Sequence, residues 1–212
     1  EMRSPSIKGS MRYWWRAAQR IHDREELRKK EGEIFGSSES DVGRSRFRLR
    51  VAKRQLPVKK YPLLPHKGSG MSPPALAPDG TFTLYISSRN PSMEAVARNT
   101  LEVSAILGGL GRRSRRESGS YYIEGPTGPD GEMTLDEKIL RSLNVLSGLK
   151  NEDGYRIQSC PINGARINVI VGPVTTAHTN YPQIICVMTK QLTMSMNEIL
   201  TEIGKASHTY SG

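Results

Sequence analysis

The sequence predicts an α+β fold, and three observations carry that prediction. An apolar stripe at helical spacing opens the chain over residues 5–30. Two segments with strand alternation follow, at 44–51 and 81–86. A second helix with its own start and stop signals spans 91–107. Hydrophobic residues make up 36% of the chain and charged residues 25%, which suits a soluble domain rather than a disordered one. No apolar run approaches the roughly 20 residues of a membrane-crossing helix, and no signal peptide opens the chain. A cytoplasmic protein is expected. Only Cys160 and Cys186 are present, without metal-ligand spacing, so neither a disulfide framework nor a metal site is expected.

In residues 5–30 the stripe is Ile7, Met11, Trp14, Ala18 and Ile21. Ser4 or Ser6 is placed to cap the helix, and Pro5 suits its first turn. Lys8, Arg12, Arg16 and Arg20 stand four apart and form a basic ridge beside the stripe. Trp14 and Trp15 are adjacent and cannot share a face. Trp14 is expected in the core, and stacking on a base is the weaker reading of Trp15. Residues 23–33 read as a mixed-charge solvated stretch.

In the first strand, Phe47, Leu49 and Val51 alternate with Arg46, Arg48 and Arg50. Three like charges about 7 Å apart on one face repel one another. An anion across the sheet removes that repulsion; an ordinary edge strand kept soluble by basic residues is the other reading. Residues 57–80 hold a dense run of Pro and Gly, with His66 and Lys67 among them, and read as a long loop. In the strand at 81–86, Phe82, Leu84 and Ile86 face inward. Asn90-Pro91 opens the helix at 91–107, Met93, Val96, Ala97, Leu101 and Leu107 form its buried side, and Gly108-Gly109 ends it. A short strand is expected at 121–123.

The order is helix, strand, loop, strand, helix, strand. One strand placed before it makes βαββαβ, the ferredoxin-like or RNA-recognition topology. That strand is expected upstream of Glu1, with the chain lacking its true start. The turn cluster GPTGPDG at 125–131 marks a boundary. Residues 1–124 then form one domain and 125–212 a second, less regular α+β domain, ferredoxin-like in its turn. In the second, 134–148 and 192–204 look helical, 166–174 looks like a strand, and 183–189 is an apolar run.

Charge points to function. Residues 1–120 carry 24 Lys and Arg against 12 Asp and Glu, net +12, whereas 121–212 carry 7 against 9, net −2. All of the excess lies in the first half, and a polyanion is its natural partner. Residues 4–12 put hydroxyls, Gly9, Lys8 and Arg12 at a helix N-terminus, where unpaired N–H groups and the helix dipole favour an anion. A plain cap before a basic helix is the alternative. The strongest local signal is GGLGRRSRRESGS at 108–120. Its glycines allow close backbone approach, and Arg112, Arg113, Arg115 and Arg116 are suited to gripping phosphate; a disordered basic loop is the bland reading. It does not match the P-loop pattern. His22, His66, His178 and His208 are scattered, and no catalytic motif is present.

Three segments taken together, SPSIKGSMRYWWRA, IFGSS and LGGLGRRSRRESGS, resemble the RAMP superfamily of CRISPR systems, over about residues 4–123. The likeness is nearest to the first-subunit family of the Cmr (type III-B) effector complex. It implies ferredoxin-like domains and a non-catalytic role in a ribonucleoprotein for antiviral defence. It also implies CRISPR guide RNA, target RNA and other Cmr subunits as partners, with no cofactor and no membrane. Lys8, Gly9 and Arg12 match the family's helix-start motif, and Gly108, Gly109, Gly111, Arg112, Arg113, Arg115 and Arg116 match its glycine-rich loop. Glu117 departs from the pattern, standing where the family has Gly. With Ser6, Arg16, Arg46, Arg48 and Arg50 these residues make the expected RNA-binding set. A RAMP-type endoribonuclease using His66 or Asp41 is the alternative, and a ribosomal-type basic protein a third reading.

Overall fold

Ile7, Met11 and Trp15 recur every four residues, and all three are buried, so their common face turns residues 4–18 into the central helix α1 (Ser4–Ala18). The computed structural model describes residues 2–38, 43–60, 74–111, 119–124, 133–149, 153–162, 165–173, 181–189 and 198. Arg3 holds the N-cap position of α1 without a side-chain cap. The expected Ser4 or Ser6 cap is therefore absent: the Ser4 hydroxyl instead accepts from the N–H of Val51, 3.3 Å away on the neighbouring strand.

The single helix expected over 5–30 is two helices. The chain leaves the helical conformation at Gln19, and α2 (Arg24–Phe35) starts afresh at Asp23, whose carboxylate accepts from Glu26 N at 2.7 Å. The mixed-charge stretch is thus a helix, with Leu27, Glu31 and Phe35 buried. The tryptophans are also exchanged. Trp15 is 3% exposed and meets Phe35 edge-on at 6.1 Å, whereas Trp14 is half-buried against Gly108. The stripe from Ile7 and Met11 continues through the position four later, and that residue is Trp15.

β1 (Arg48–Gln55) pairs antiparallel with β4 (Thr81–Ser87), with a bulge between Ala52 and Arg54. Leu49, Val51, Phe82, Leu84 and Ile86 turn inward to the core, as the alternation requires. Between them the expected loop at 57–80 carries a two-stranded ribbon, β2 (Val58–Lys60) on β3 (Pro74–Leu76). Pro74 lacks an N–H, and it stands at the first residue of its strand, where a proline is tolerated. α3 (Pro91–Leu107) is capped by Asn90, whose side chain accepts from Ser92 N. The strand expected at 121–123 has no strand pairing among the described residues.

Beyond residue 132, α4 (Leu135–Ser147) opens on a capping box of Thr134 and Glu137. β5 (Arg156–Ile162), β6 (Ala165–Val171) and β7 (Cys186–Met188) form an antiparallel sheet in that order. β5 has no counterpart among the sequence expectations. The expected boundary at 125 and the expected helix at 192–204 lie outside the described residues, apart from Glu198 in a helical position. One cluster of buried residues runs across that boundary, joining Ile7, Met11 and Trp15 to Ile139, Leu143, Ile170 and Ile184. Among the described residues no helix is long and apolar enough to cross a membrane, and Cys160 and Cys186 are free.

Trp15→Ala removes a buried indole and should destabilise the chain by about 3–5 kcal/mol, while Trp14→Ala, at a half-buried site, should cost less. Thermal melts of the two variants check this; an equal or larger loss for Trp14→Ala contradicts the packing.

Candidate nucleic-acid interface

Three of the four basic-ridge residues are already engaged. Arg12 Nη1 donates to Glu31 Oε1 at 2.9 Å, and its Nη2 donates to the carbonyls of Phe35 and Gly36. Arg16 Nη1 donates to both Glu31 oxygens at 2.8 Å. Arg20 bonds Gln183 and the carbonyl of Ile184 at the other end of the helix. Their spacing of four reads as an outward ridge in sequence, yet α2 and residues 181–185 pack along it. Sequence periodicity gives a face, not what covers it.

Lys8 differs. It makes no ion pair among the described residues, and its ammonium lies 4.7 Å from the centre of the Phe47 ring. Burial, and secondarily the Arg12 charge, push its pKa below the usual lysine value. Gly9 beside it is exposed, and a Cβ there would meet nothing within 4 Å. A glycine inside a helix costs roughly 0.5–1 kcal/mol relative to alanine, and internal packing gives no reason for this one. No acidic residue occupies the first turn of α1 and no side chain caps it. Ser6 is exposed on that turn. The N-terminal turns of α1 therefore present a partly desolvated ammonium, an uncapped helix end and an open approach to the backbone.

Two expected elements converge on those turns. β1 reaches them through Val51 N and the Ser4 hydroxyl. The start of the glycine-rich loop reaches them through Ser10, whose hydroxyl lies 2.9 Å from that of Ser104 and donates to Gly109 O at 3.4 Å. The loop's neck is closed by Leu110 N donating to Gly119 O at 2.8 Å. Gly108 lies so close to the Trp14 indole that no Cβ fits, and Gly119 has φ +84° with Leu110 O against its missing side chain. At those positions, glycine serves the crossing of the chain with itself. A Cβ on Gly109 would likewise lie 2.8 Å from Gly119 O. Gly111 adopts φ +105° in open space. Arg112, Arg113, Arg115, Arg116 and Glu117 lie outside the described residues, as do Asp41, His66, His178 and His208. His22 is exposed.

Arg46, Arg48 and Arg50 are exposed, as expected. Arg46 approaches Glu33 at 4.0 Å from the turn before β1, and Arg50 stands over the Tyr85 ring at 4.8 Å. Tyr85 is absent from the expected RNA-binding set. Its side chain sits on the same face as the arginines, a fact set by strand register and invisible without the pairing of β1 with β4. A cavity of about 330 Å³ between α1 and α2 is lined by Arg16, Arg24, Leu27, Arg28, Glu31 and Tyr181. Among the described residues no group of three or more His, Cys, Asp or Glu is placed to hold a metal ion.

The RAMP superfamily matches residues 1–122. The chain is 34% identical over 174 residues to the CRISPR system Cmr subunit Cmr1-1 of Pyrococcus furiosus, covering 74% of this chain and 48% of that protein. It thus spans about half the length of the curated relative it matches. The crystal structure of Cmr1 from Pyrococcus furiosus in its apo form is similar at a TM-score of 0.49 and 26% identity, over 69% of this chain and 52% of that one.

Lys8 should titrate below the usual lysine value of 10.5 when followed by NMR at its Cε. Arg12→Gln removes the like charge and should move it only part of the way back, because burial is the larger cause. A Lys8 that titrates with the exposed lysines contradicts this environment.

Proposed function

The chain belongs to the RAMP superfamily, and from that premise we propose that it is a non-catalytic CRISPR RNA-binding subunit of a type III-B (Cmr) RNA-targeting effector complex. In this reading it works in the cytoplasm, in antiviral defence, bound to guide RNA and to other Cmr subunits. The observation that carries the proposal is at the start of α1. Lys8 has no acidic partner among the described residues, Gly9 is open to an approaching ligand, and the helix end is uncapped. A phosphate there would gain the helix dipole and the full charge of Lys8, and would supply the anion that Lys8 lacks among the described residues.

The contact set we propose is Ser6, Lys8, Gly9, Arg46, Arg48 and Arg50 with the loop residues Gly108, Gly109, Gly111, Arg112, Arg113, Arg115 and Arg116. Arg12 and Arg16 enter it through position: held by Glu31, they contribute field at the site and leave direct grip to Lys8. The β1–β4 hairpin backed by α1 and α3 supports reading residues 1–124 as the middle of a ferredoxin-like unit. We read residues 125–212, with α4 and the β5–β6–β7 sheet, as a second α+β unit sharing its core.

The test is binding to single-stranded RNA measured by fluorescence anisotropy at several salt concentrations. Gly9→Ala should raise the melting temperature, since alanine favours the helix and meets no neighbour, yet weaken RNA binding. Changing Arg112, Arg113, Arg115 and Arg116 together to Ala should weaken binding and reduce the salt slope by up to about three, at about 0.7 for each phosphate no longer neutralised. Unchanged affinity in both variants refutes the site. Repeat RNA incubated with the purified chain between pH 6 and 8 should stay intact; cleavage overturns the non-catalytic reading.

A further inference from the structure

The outer face of the β1–β4 pair combines an exposed ring with exposed charges. Arg48 pairs with Ser87 and Arg50 with Tyr85 in the antiparallel register, so all four project from the face opposite the core. Leu49, Val51, Leu84 and Ile86 occupy the inner face. Tyr85 is 51% exposed. The Arg50 guanidinium lies 4.8 Å from its ring centre, and no acidic residue lies on the outer face of either strand. Arg48 has no ion pair among the described residues.

An edge that merely needs protection from aggregation uses charge; a half-exposed aromatic ring adds apolar surface where charge alone suffices. A ring and guanidiniums side by side suit one ligand chemistry above others. A nucleobase stacks on the π-face, a guanidinium plane extends the stack, and neighbouring phosphates meet the arginines. An acidic protein surface would use the arginines but gain little from the ring.

We propose that Tyr85, flanked by Arg48 and Arg50, is a base-stacking platform for single-stranded RNA on the outer face of the hairpin. It rests on the RNA-binding reading above and adds a contact to the bases, where the α1 site grips backbone. Its sequence preference is weak, because every base has a π-face.

The experiment measures the affinity of the 212-residue chain and of its Tyr85→Ala and Tyr85→Phe variants for two probes. One is a single-stranded RNA; the other is a strand of the same length with abasic positions. Tyr85→Ala should weaken binding to the intact RNA by roughly 5- to 150-fold, the range of one stacking contact. It should leave the abasic strand and the salt slope unchanged, since no charge is removed. Tyr85→Phe should keep wild-type affinity. The platform is overturned if Tyr85→Ala binds intact RNA as the wild type does, or weakens both probes equally. Wild-type protein that binds neither probe overturns the RNA-binding reading itself, and the platform with it. Circular dichroism of Tyr85→Ala, an exposed site, separates loss of stacking from loss of fold.

Discussion

Glu31 is a buried carboxylate, and the arrangement of charge on α1 follows from it. A carboxylate 7% exposed must be neutralised and hydrogen-bonded, and Arg12 and Arg16 do both. Their side chains remain about one-third exposed, so the pairing spares the arginines full burial while binding α2 to α1. Arg12 also takes the last carbonyls of α2, at Phe35 and Gly36, which no helical N–H satisfies. Two charges that sequence alone would assign to a ligand are thereby committed to the fold. Lys8, one turn nearer the N-terminus than Arg12, keeps its charge uncompensated.

The far end of α1 is tied down just as firmly. Gln19 Nε2 donates to Leu146 O at 2.8 Å, Ile184 N donates to Ala17 O at 2.8 Å, and the Tyr155 hydroxyl donates to Ile184 O. Burial lifts the Tyr155 pKa to about 12, so this hydroxyl stays a proton donor throughout the physiological range. These bonds join the first helix to α4 and to the segment before β7, elements far apart along the chain. The C-terminal end of α1 is consumed by structure and its N-terminal end is left open. That polarity leaves Ser6 and Gly9 exposed and Lys8 without an acidic partner among the described residues, the groups on which the proposed RNA contact rests.

What the sequence made legible was local. The alternation at 47–51 and 82–86 places the right residues inward and outward, and Asn90-Pro91 with Gly108 bounds α3 to the residue. What it hid depended on pairing. Asp23 does not stand out as a cap, because apolar residues on both sides suggest one continuous helix, whereas its carboxylate starts a new one. The β2–β3 ribbon lies beneath a run of prolines and glycines, and β5 contains Pro161, a residue that argues against a strand. Tyr85 carries no signal until its register with Arg50 is known. The glycine-rich motif is legible as a motif, yet Gly108 and Gly119 are explained by Trp14 and Leu110, whereas a Cβ on Gly9 in α1 would meet nothing within 4 Å.

In the proposed function, RNA meets the start of α1, the outer face of β1 and β4 and the loop neck, and leaves the C-terminal end of α1 untouched. Amide hydrogen exchange with and without a single-stranded RNA tests it in one measurement. Added protection should fall on residues 4–9, 48–51, 83–87 and 108–111, with residues 17–21 and 181–185 unchanged. Protection centred on 181–185, or none at 4–9 under saturating RNA, would contradict the account.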